Sequence, residues 1–151
     1  MPHHELAQLN IAAMAAPMDS PALSEFVANL DRINTLAERS EGFVWRLQTE
    51  EGDATALRPF GDDYLVNLSV WLSVEALQAF VFRSAHADIM RRRKEWFHRM
   101  EQPYTVLWWV PEGQRPTLEE AGAKLALLRE QGPTAAAFSF RQPFTSPSAS
   151  G

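Results

Sequence analysis

Two kinds of hydrophobic periodicity alternate along this 151-residue chain and restrict the folds it can adopt. Alternation of apolar and polar residues predicts a strand, whereas an apolar residue at every third or fourth position predicts a helix. We predict strands over 5–13, 43–49, 64–72, 104–110 and 135–141, and helices over 20–40, 73–84, 86–100 and 117–132. The order β-α-β-β-α-β with an additional α-β is the ferredoxin-like pattern. We therefore expect an α+β fold whose antiparallel sheet carries helices on one face.

The length and composition of the chain are those of one folded domain. Hydrophobic residues make up 46% and charged residues 22% of the sequence, close to the average of globular proteins. We assign residues 1–141 to a single domain. The last segment, 142–151, is rich in serine and proline, and we expect it to form a flexible tail.

Charge and missing motifs exclude several classes of function. With 14 Lys and Arg against 19 Asp and Glu, the chain lacks the basic character of nucleic-acid and anionic-membrane binders. The absence of cysteine excludes disulfides, thiolate nucleophiles and cysteine-ligated metals. No GxGxxG, GxxxxGK[ST], HExxH or GxSxG motif occurs. Because no signal-peptide pattern or bilayer-length apolar run is present, we expect a cytoplasmic protein without a nucleic-acid or membrane partner.

The predicted strand over 64–72 has two unlike faces. Its even-numbered positions are all apolar and predict a core face. Its odd-numbered positions mix polar with large apolar or aromatic residues: Leu65, Asn67, Ser69 and Trp71. On the first strand, Gln8 and Asn10 likewise place polar residues among apolar ones. Such a mixture suits a ligand pocket or a wet subunit interface. We predict that this face lacks helix cover, and that Asn67 and Ser69 bind a ligand or form interface contacts. Trp45 is a further substrate-contact candidate, with a core role as the alternative.

A histidine and an arginine fall on the apolar side of the predicted helix over 86–100. At about 100° per residue, Arg93 and Phe97 lie within about 20° of His86 on the helix surface. A buried cation needs a partner, so Arg93 either pairs with an acidic side chain or binds a carboxylate or propionate. His86 is either a hydrogen-bonded core or capping residue, or an axial haem ligand or general base.

Several blocks of the chain, which occur in the same order and cover nearly its whole length, resemble the bacterial domain of unknown function 3291 family. They are NIAAM, LDRINTLAERSEGFVWRL, LVNLSVWLSVEALQAFVFRSAH, RRRKEWF, LWWVPEG, RPTLEEA and GPTAAAFSFR. The resemblance implies membership of the dimeric α/β-barrel proteins, which include antibiotic-biosynthesis monooxygenases. In these, two ferredoxin-like protomers pack sheet against sheet, so a homodimer with one ligand cavity in each protomer is implied.

Two further similarities concern haem. The segment VFRSAH and the Arg-rich helix after it resemble spheroidene monooxygenase, a haem-associated carotenoid oxygenase. The block VWLSVEALQAF followed by His86 is similar to haem-degrading monooxygenases, which implies His86 as ligand of the haem iron and Asn10 as the assisting asparagine. The chain departs from these enzymes at Phe80, where they have tryptophan, and in its shorter interval to His86. It also has Gln114 where the family's Gly-His-x-Pro-Thr loop has histidine.

Together these observations predict a small-molecule monooxygenase that acts on an apolar or aromatic compound, with His86 and Asn10 as catalytic residues. In the haem version the cofactor contacts are His86, Arg93, Phe97 and Trp71. In the cofactor-free version an electron-rich substrate lies against Asn10, Asn67 and Trp71. Two alternatives remain: a non-enzymatic dimeric ligand-binding module, and an isomerase or cyclase that uses His86 as general acid and base.

Overall fold

A computed structural model describes residues 3–48 and 57–147 of the chain. The described residues form four strands, five α-helices and one 3-10 turn: β1 (His4–Ala13), the turn (Pro21–Leu23), α1 (Ser24–Arg39), β2 (Phe43–Arg46), β3 (Tyr64–Trp71), α2 (Val74–Arg83), α3 (Ala85–Arg91), α4 (Arg93–Trp96), β4 (Thr105–Pro111) and α5 (Leu118–Gln131). None of the helices in this part of the chain has the length and hydropathy that crossing a bilayer requires.

The four strands form one antiparallel sheet in the order β2-β3-β1-β4. β1 lies in the middle, where Gln8 pairs with Ser69 and Asn10 pairs with Asn67 of β3. One helix connects β1 to β2, and α2, α3 and α4 connect β3 to β4. This connectivity is the ferredoxin-like arrangement, so the predicted α+β fold is confirmed.

Capping residues begin the helices where the sequence predicted. Ser73 Oγ accepts a hydrogen bond from the Ala76 N–H at 3.1 Å at the start of α2. Thr117 Oγ1 accepts one from the Glu120 N–H at 3.1 Å at the start of α5. Each cap satisfies an N–H group that has no partner within its helix, which stabilises that end of the helix.

The ferredoxin-like unit carries its helices on one face of the sheet, as predicted, and the additional helix α5 lies on the other face. Helices α1 and α2 pack on one face through residues of a shared apolar cluster: Leu6, Ala37, Trp71, Leu77, Phe80 and Leu107. Helix α5, which follows the ferredoxin-like unit, packs on the other face through a second cluster: Leu9, Val66, Leu68, Val70, Leu125 and Leu128. The prediction that the face with Asn67 and Ser69 lacks helix cover is therefore wrong. The two ends of this face are apolar, at Leu65 and at Trp71, and helices pack against them there.

The predicted long helix from His86 is also wrong in its extent. Arg92 leaves helical geometry, with φ −96° and ψ 5°, between α3 and the single turn of α4. Phe97 is already extended and forms a β-bridge with Met14, beyond the end of β1. Packing of this segment against the end of the sheet overrides the helical periodicity. His86 and Arg93 consequently do not share one helix face.

The C-terminal segment adds one β-bridge to β4 rather than a strand. Phe138 and Leu107 exchange backbone hydrogen bonds of 2.8 Å each, and isolated bridges replace the strand predicted over 135–141. Phe144, within the predicted flexible tail, packs on Phe138 with ring centroids 5.7 Å apart. Its carbonyl oxygen accepts a hydrogen bond from Trp109 Nε1 at 2.9 Å. Residues 148–151 of that tail, and position 49 of the predicted second strand, lie outside the described residues.

Candidate functional site

Four polar side chains lie together on the sheet face that α1 and α2 cover. We call Gln8, Asn10, Asn67 and Ser69 the sheet-centre patch. Gln8 Nε2 donates to Ser69 Oγ at 2.8 Å and to Asn67 Oδ1 at 2.5 Å. Asn10 Nδ2 donates to Thr105 Oγ1 at 2.6 Å on the neighbouring strand. The patch arises because residues two apart on a strand share a face and because paired positions of adjacent strands lie side by side.

The patch keeps hydrogen-bonding groups that no described residue uses. Gln8 Oε1 and Asn10 Oδ1 are unused acceptors, and Asn67 Nδ2 is an unused donor, among the residues the structure describes. Ser69 Oγ accepts from Gln8 Nε2 and from Trp71 Nε1, the latter at 2.9 Å. Two accepted bonds leave the hydroxyl proton of Ser69 free to donate.

Helix α1 runs beside the patch and is anchored at its two ends. Near its N-terminus Phe26 belongs to the apolar cluster of Leu65, and near its C-terminus Ala37 belongs to that of Trp71. These helix anchors are 11 residues apart, about 16 Å, and the two strand positions are about 20 Å apart. The helix therefore runs roughly along the strands and approaches the sheet mainly at β2, beside the sheet-centre patch.

Between its anchors, α1 leaves space above the sheet. Leu30, on the apolar stripe of the helix, is half-buried and belongs to none of the packed clusters. Asn34, one turn further along the same stripe, is also half-buried. Asn67 is solvent-exposed although Leu65 and Ser69, its neighbours on the same sheet face, are buried. We call this solvent-accessible space between α1 and the sheet-centre patch the central cleft.

A charged residue stands at the β2 side of the central cleft. Arg46 is paired with Ser69 across β2 and β3, so its side chain lies on the same face. Only 11% of this side chain is exposed. Its Nη2 lies 3.2 Å from Glu38 Oε1 of α1, and its Nε is buried without a hydrogen-bond partner. The guanidinium is thus only partly satisfied.

Two aromatic rings, those of Phe80 and Trp71, lie between His86 and the patch. The His86 ring lies 4.8 Å from that of Phe80, which stacks on Trp71 at 5.2 Å. His86 Nδ1 lies 3.2 Å from the Val81 carbonyl oxygen, which only accepts, so Nδ1 carries the proton and Nε2 keeps its lone pair. Desolvation lowers the pKa of His86, against a smaller opposing effect of the bond to Val81. The neutral imidazole is therefore favoured, with Nε2 as a base or ligand atom.

Other predicted site residues lie elsewhere. Trp45 pairs with Val70 and packs with the α5 face of the sheet, opposite to Asn67. The Arg93 guanidinium lies 4.5 Å from the ring centroid of Tyr104 and 5.9 Å from that of Phe97. Among the described contacts, neither Trp45 nor Arg93 touches His86.

The predicted haem contacts are not brought together. Phe97 bridges to Met14, which extends β1 beyond the pair of Ala13 with Tyr64. Trp71 stands at the other end of β3, about 23 Å away along the strand. His86 has the tautomer that metal-ligating histidines use, but Arg93 and Phe97 do not fit a haem bound at His86. We therefore assign no step to haem. Among the described residues, no group of three His, Asp or Glu side chains could hold a metal ion.

The loop that contains Gln114 lies beside the start of β1. The N–H of Gly113 donates to the buried carboxylate of Glu5 at 3.0 Å, and Arg115 lies 3.7 Å from the same oxygen. Glu5 points to the α5 face, because it alternates with Leu6. This loop is therefore held by β1 on the side away from the central cleft.

Two residues of the site were missed by the sequence analysis. Arg46 interrupts the apolar strand FVWRL, and a charge inside a strand was the available signal. Thr105 begins a strand and carries no distinguishing pattern, so its contact with Asn10 could not be foreseen. Gln8 was noticed on the mixed face, but its central place in the hydrogen-bond network comes from the register of β1 and β3.

Comparisons with known proteins add a family and one structural likeness. A family model described as "Domain of unknown function (DUF3291)" matches residues 5–151. A similar solved structure is the NE2512 protein of unknown function from Nitrosomonas europaea, with 14% identity and a TM-score of 0.46. The likeness covers 76% of this chain and 95% of that one. No curated protein matches the chain.

Proposed function

The chain belongs to the DUF3291 family, and we propose that its domain binds a small apolar or aromatic molecule in the central cleft. The observation that carries the proposal is the set of unused hydrogen-bonding groups on the sheet-centre patch. A buried polar group without a partner costs about 1–3 kcal/mol. Among the described residues Arg46 Nε is in that situation, whereas the unused groups of the patch reach solvent and can exchange water for a ligand.

The walls of the cleft support the same proposal. Its floor is polar, and the neighbouring helix α1 presents Leu30, which is half-buried and belongs to none of the packed clusters. Ligand sites in proteins commonly combine an apolar lining with a few polar groups that fix orientation. A molecule with an apolar body and one or two polar substituents would satisfy both surfaces.

His86 supports a second, enzymatic candidate. Its Nε2 lone pair and lowered pKa suit a general base at neutral pH in an isomerase or cyclase. Because the rings of Phe80 and Trp71 separate His86 from the patch, this candidate requires a substrate that reaches the imidazole itself. Monooxygenation, haem binding and a homodimer stay predictions of the resemblance. Monooxygenation requires a substrate, haem binding requires a cavity beside His86, and a homodimer requires a surface through which two copies associate.

The binding proposal is tested by titrating the ¹⁵N-labelled protein with a panel of small aromatic compounds and following its side-chain amide signals. Binders should shift the signals of Asn67, Asn10 and Gln8. Asn67→Trp, which fills the cleft from the floor, should weaken binding at least tenfold. Thr35→Trp places the same ring on the exposed side of α1 and serves as the control.

Two results would contradict the proposal. The first is a panel in which no compound shifts the patch amides. The second is equal affinity of the wild type and Asn67→Trp for compounds that do bind. Circular dichroism should show that both tryptophan variants keep their secondary structure.

A further inference from the structure

The unused groups of the central cleft are divided between its two sides. On β2 and β3 they are donors: Arg46 Nε, the Ser69 hydroxyl and Asn67 Nδ2. On β1 they are acceptors: Gln8 Oε1 and Asn10 Oδ1. A ligand that matches this division presents acceptor oxygens to β2 and β3, and a donor such as a hydroxyl or amine to β1.

The positive charge of Arg46 favours a negatively charged acceptor group on the ligand. A guanidinium has five N–H donors, and a carboxylate binds it most strongly through two parallel hydrogen bonds. In this structure Glu38 makes one ion-pair contact, through Nη2, and 46% of the Glu38 side chain is exposed. The buried Nε is left without an acceptor, and it shares one edge of the guanidinium with Nη2, the atom that contacts Glu38. A second carboxylate can bind this edge through Nε and can replace the half-exposed Glu38 at Nη2.

Two other partly buried arginines of the chain differ from Arg46 in this respect. Arg92 is paired with Glu25 at 2.5 Å and with Glu95 at 2.8 Å, and Arg93 lies over the ring of Tyr104. Within the described part of the chain, Arg46 Nε is the buried side-chain donor that lacks a partner. An anion that enters the central cleft would therefore meet Arg46.

We propose that Arg46 binds a carboxylate of the ligand, which makes the ligand class an apolar or aromatic carboxylic acid. This inference rests on the proposed function of the central cleft and adds the chemical class of its ligand. The Ser69 hydroxyl and Asn67 Nδ2 supply further donors to the carboxylate. Gln8 and Asn10 recognise a hydroxyl or amine elsewhere on the same molecule.

The test uses 2-naphthoate and 2-naphthamide, which have the same shape but differ in charge. Each is titrated into the ¹⁵N-labelled full chain while the side-chain amide signals of the patch are followed. Naphthoate should bind at least tenfold more tightly than naphthamide. Arg46→Met should abolish this preference, whereas Arg32→Met, which removes an exposed arginine of α1, should preserve it.

Arg46→Lys keeps the proposal testable if the methionine variant does not fold. Lysine retains the charge but not the two-pronged donor edge, so the preference should fall several-fold without vanishing. A preference unchanged in Arg46→Lys and Arg46→Met would overturn the role of Arg46. Equal binding of naphthoate and naphthamide to the wild type would overturn the carboxylate class while the binding function stands. Failure of both compounds, and of the aromatic panel, to shift the patch would refute the proposed function itself.

Discussion

His86 shows how a single side chain is prepared by its surroundings at the residue scale. The Val81 carbonyl selects the tautomer, and burial beside Phe80 disfavours the charged imidazolium. Ser84 begins α3, because its Oγ accepts the His86 N–H at 3.1 Å. Burial thus makes protonation of the ring unfavourable in the folded state, and the bond to Val81 that orients the ring opposes this effect only in part.

This environment predicts how stability depends on pH. The pKa of His86 is lowered in the folded state from its ordinary value of 6.5, so the unfolded chain takes up the proton first as the pH falls. The His86 contribution is complete above that value and is lost as the pH falls through it toward the folded-state pKa. The free energy of unfolding should therefore decrease from pH 7.5 to pH 5.5, and His86→Gln should reduce this slope.

The measurement is urea denaturation at a series of pH values, with His98→Gln as the control because His98 is exposed. The control should keep the slope of the wild type. An unchanged slope in His86→Gln would show that the imidazole is not held neutral by the fold.

Individual site residues were predictable where one strand alone determines their position. Asn67 and Ser69 are two residues apart on β3, so the strand period places them on one face before any tertiary structure is known. Arg46 was not predictable in the same way. Its position opposite Ser69 depends on the pairing of β2 with β3 and on the irregularity between Phe43 and Trp45. That register is set by contacts between distant segments.

At the scale of secondary-structure elements, Gly42 controls how closely α2 approaches β2. It adopts φ +85°, and a Cβ at this position would lie 2.4 Å from the Cβ of Ala76. Its carbonyl oxygen accepts the N–H of Leu72 at 2.7 Å, just before α2 begins. Both the backbone conformation and the packing therefore require glycine.

Gly42→Ala should destabilise the protein by more than the conformational cost alone. Gly113 offers a matched control, because it has φ +87° and no atom within 4 Å of an added Cβ. Gly113→Ala should cost about 1–2 kcal/mol for the left-handed conformation. Gly42→Ala should cost a further 1–3 kcal/mol or so, because the helix must move. Equal free energies of unfolding in urea would contradict the close packing of α2.

Elements were predicted well where their ends carry local signals and poorly where distant packing ends them. Ser73 and Thr117 mark helix starts that the structure confirms. The break at Arg92 has no such mark, because the RRRK run is compatible with a continuing helix. It follows from the burial of Trp96 against the end of the sheet, which no local pattern reveals.

At the scale of the whole molecule, the two sheet faces serve different purposes. The face under α5 is a closed apolar core in which Leu125 and Val70 are almost fully buried. The face under α1 is apolar at its ends and at Leu107 of β4, and polar at its centre on β1 and β3. The strand pattern revealed both faces, but which helices cover each face is a property of the complete chain. The face assignment was therefore wrong although the fold class was confirmed.

Separation of the two faces predicts that core stability and ligand binding can be changed independently. Leu125→Ala should lower the free energy of unfolding by about 2–5 kcal/mol, and Leu127→Ala, at a half-buried position of the same helix, by less than half as much. Affinity for compounds that bind the cleft should be unchanged in both folded variants. Urea denaturation and the amide titration measure the two quantities. Loss of affinity in Leu125→Ala would show that the faces are coupled.

The bridge between Phe138 and Leu107 has a consequence for how copies of this chain can meet. It occupies backbone groups on the outer side of β4, which would otherwise be a template for another strand. At the opposite edge, β2 is four residues long and irregular, so it offers few groups in register. Sheet continuation from one molecule into the next is therefore disfavoured at both borders. Self-association would have to rely on side-chain surfaces, which protects the protein from the edge-to-edge polymerisation to which open sheets are prone.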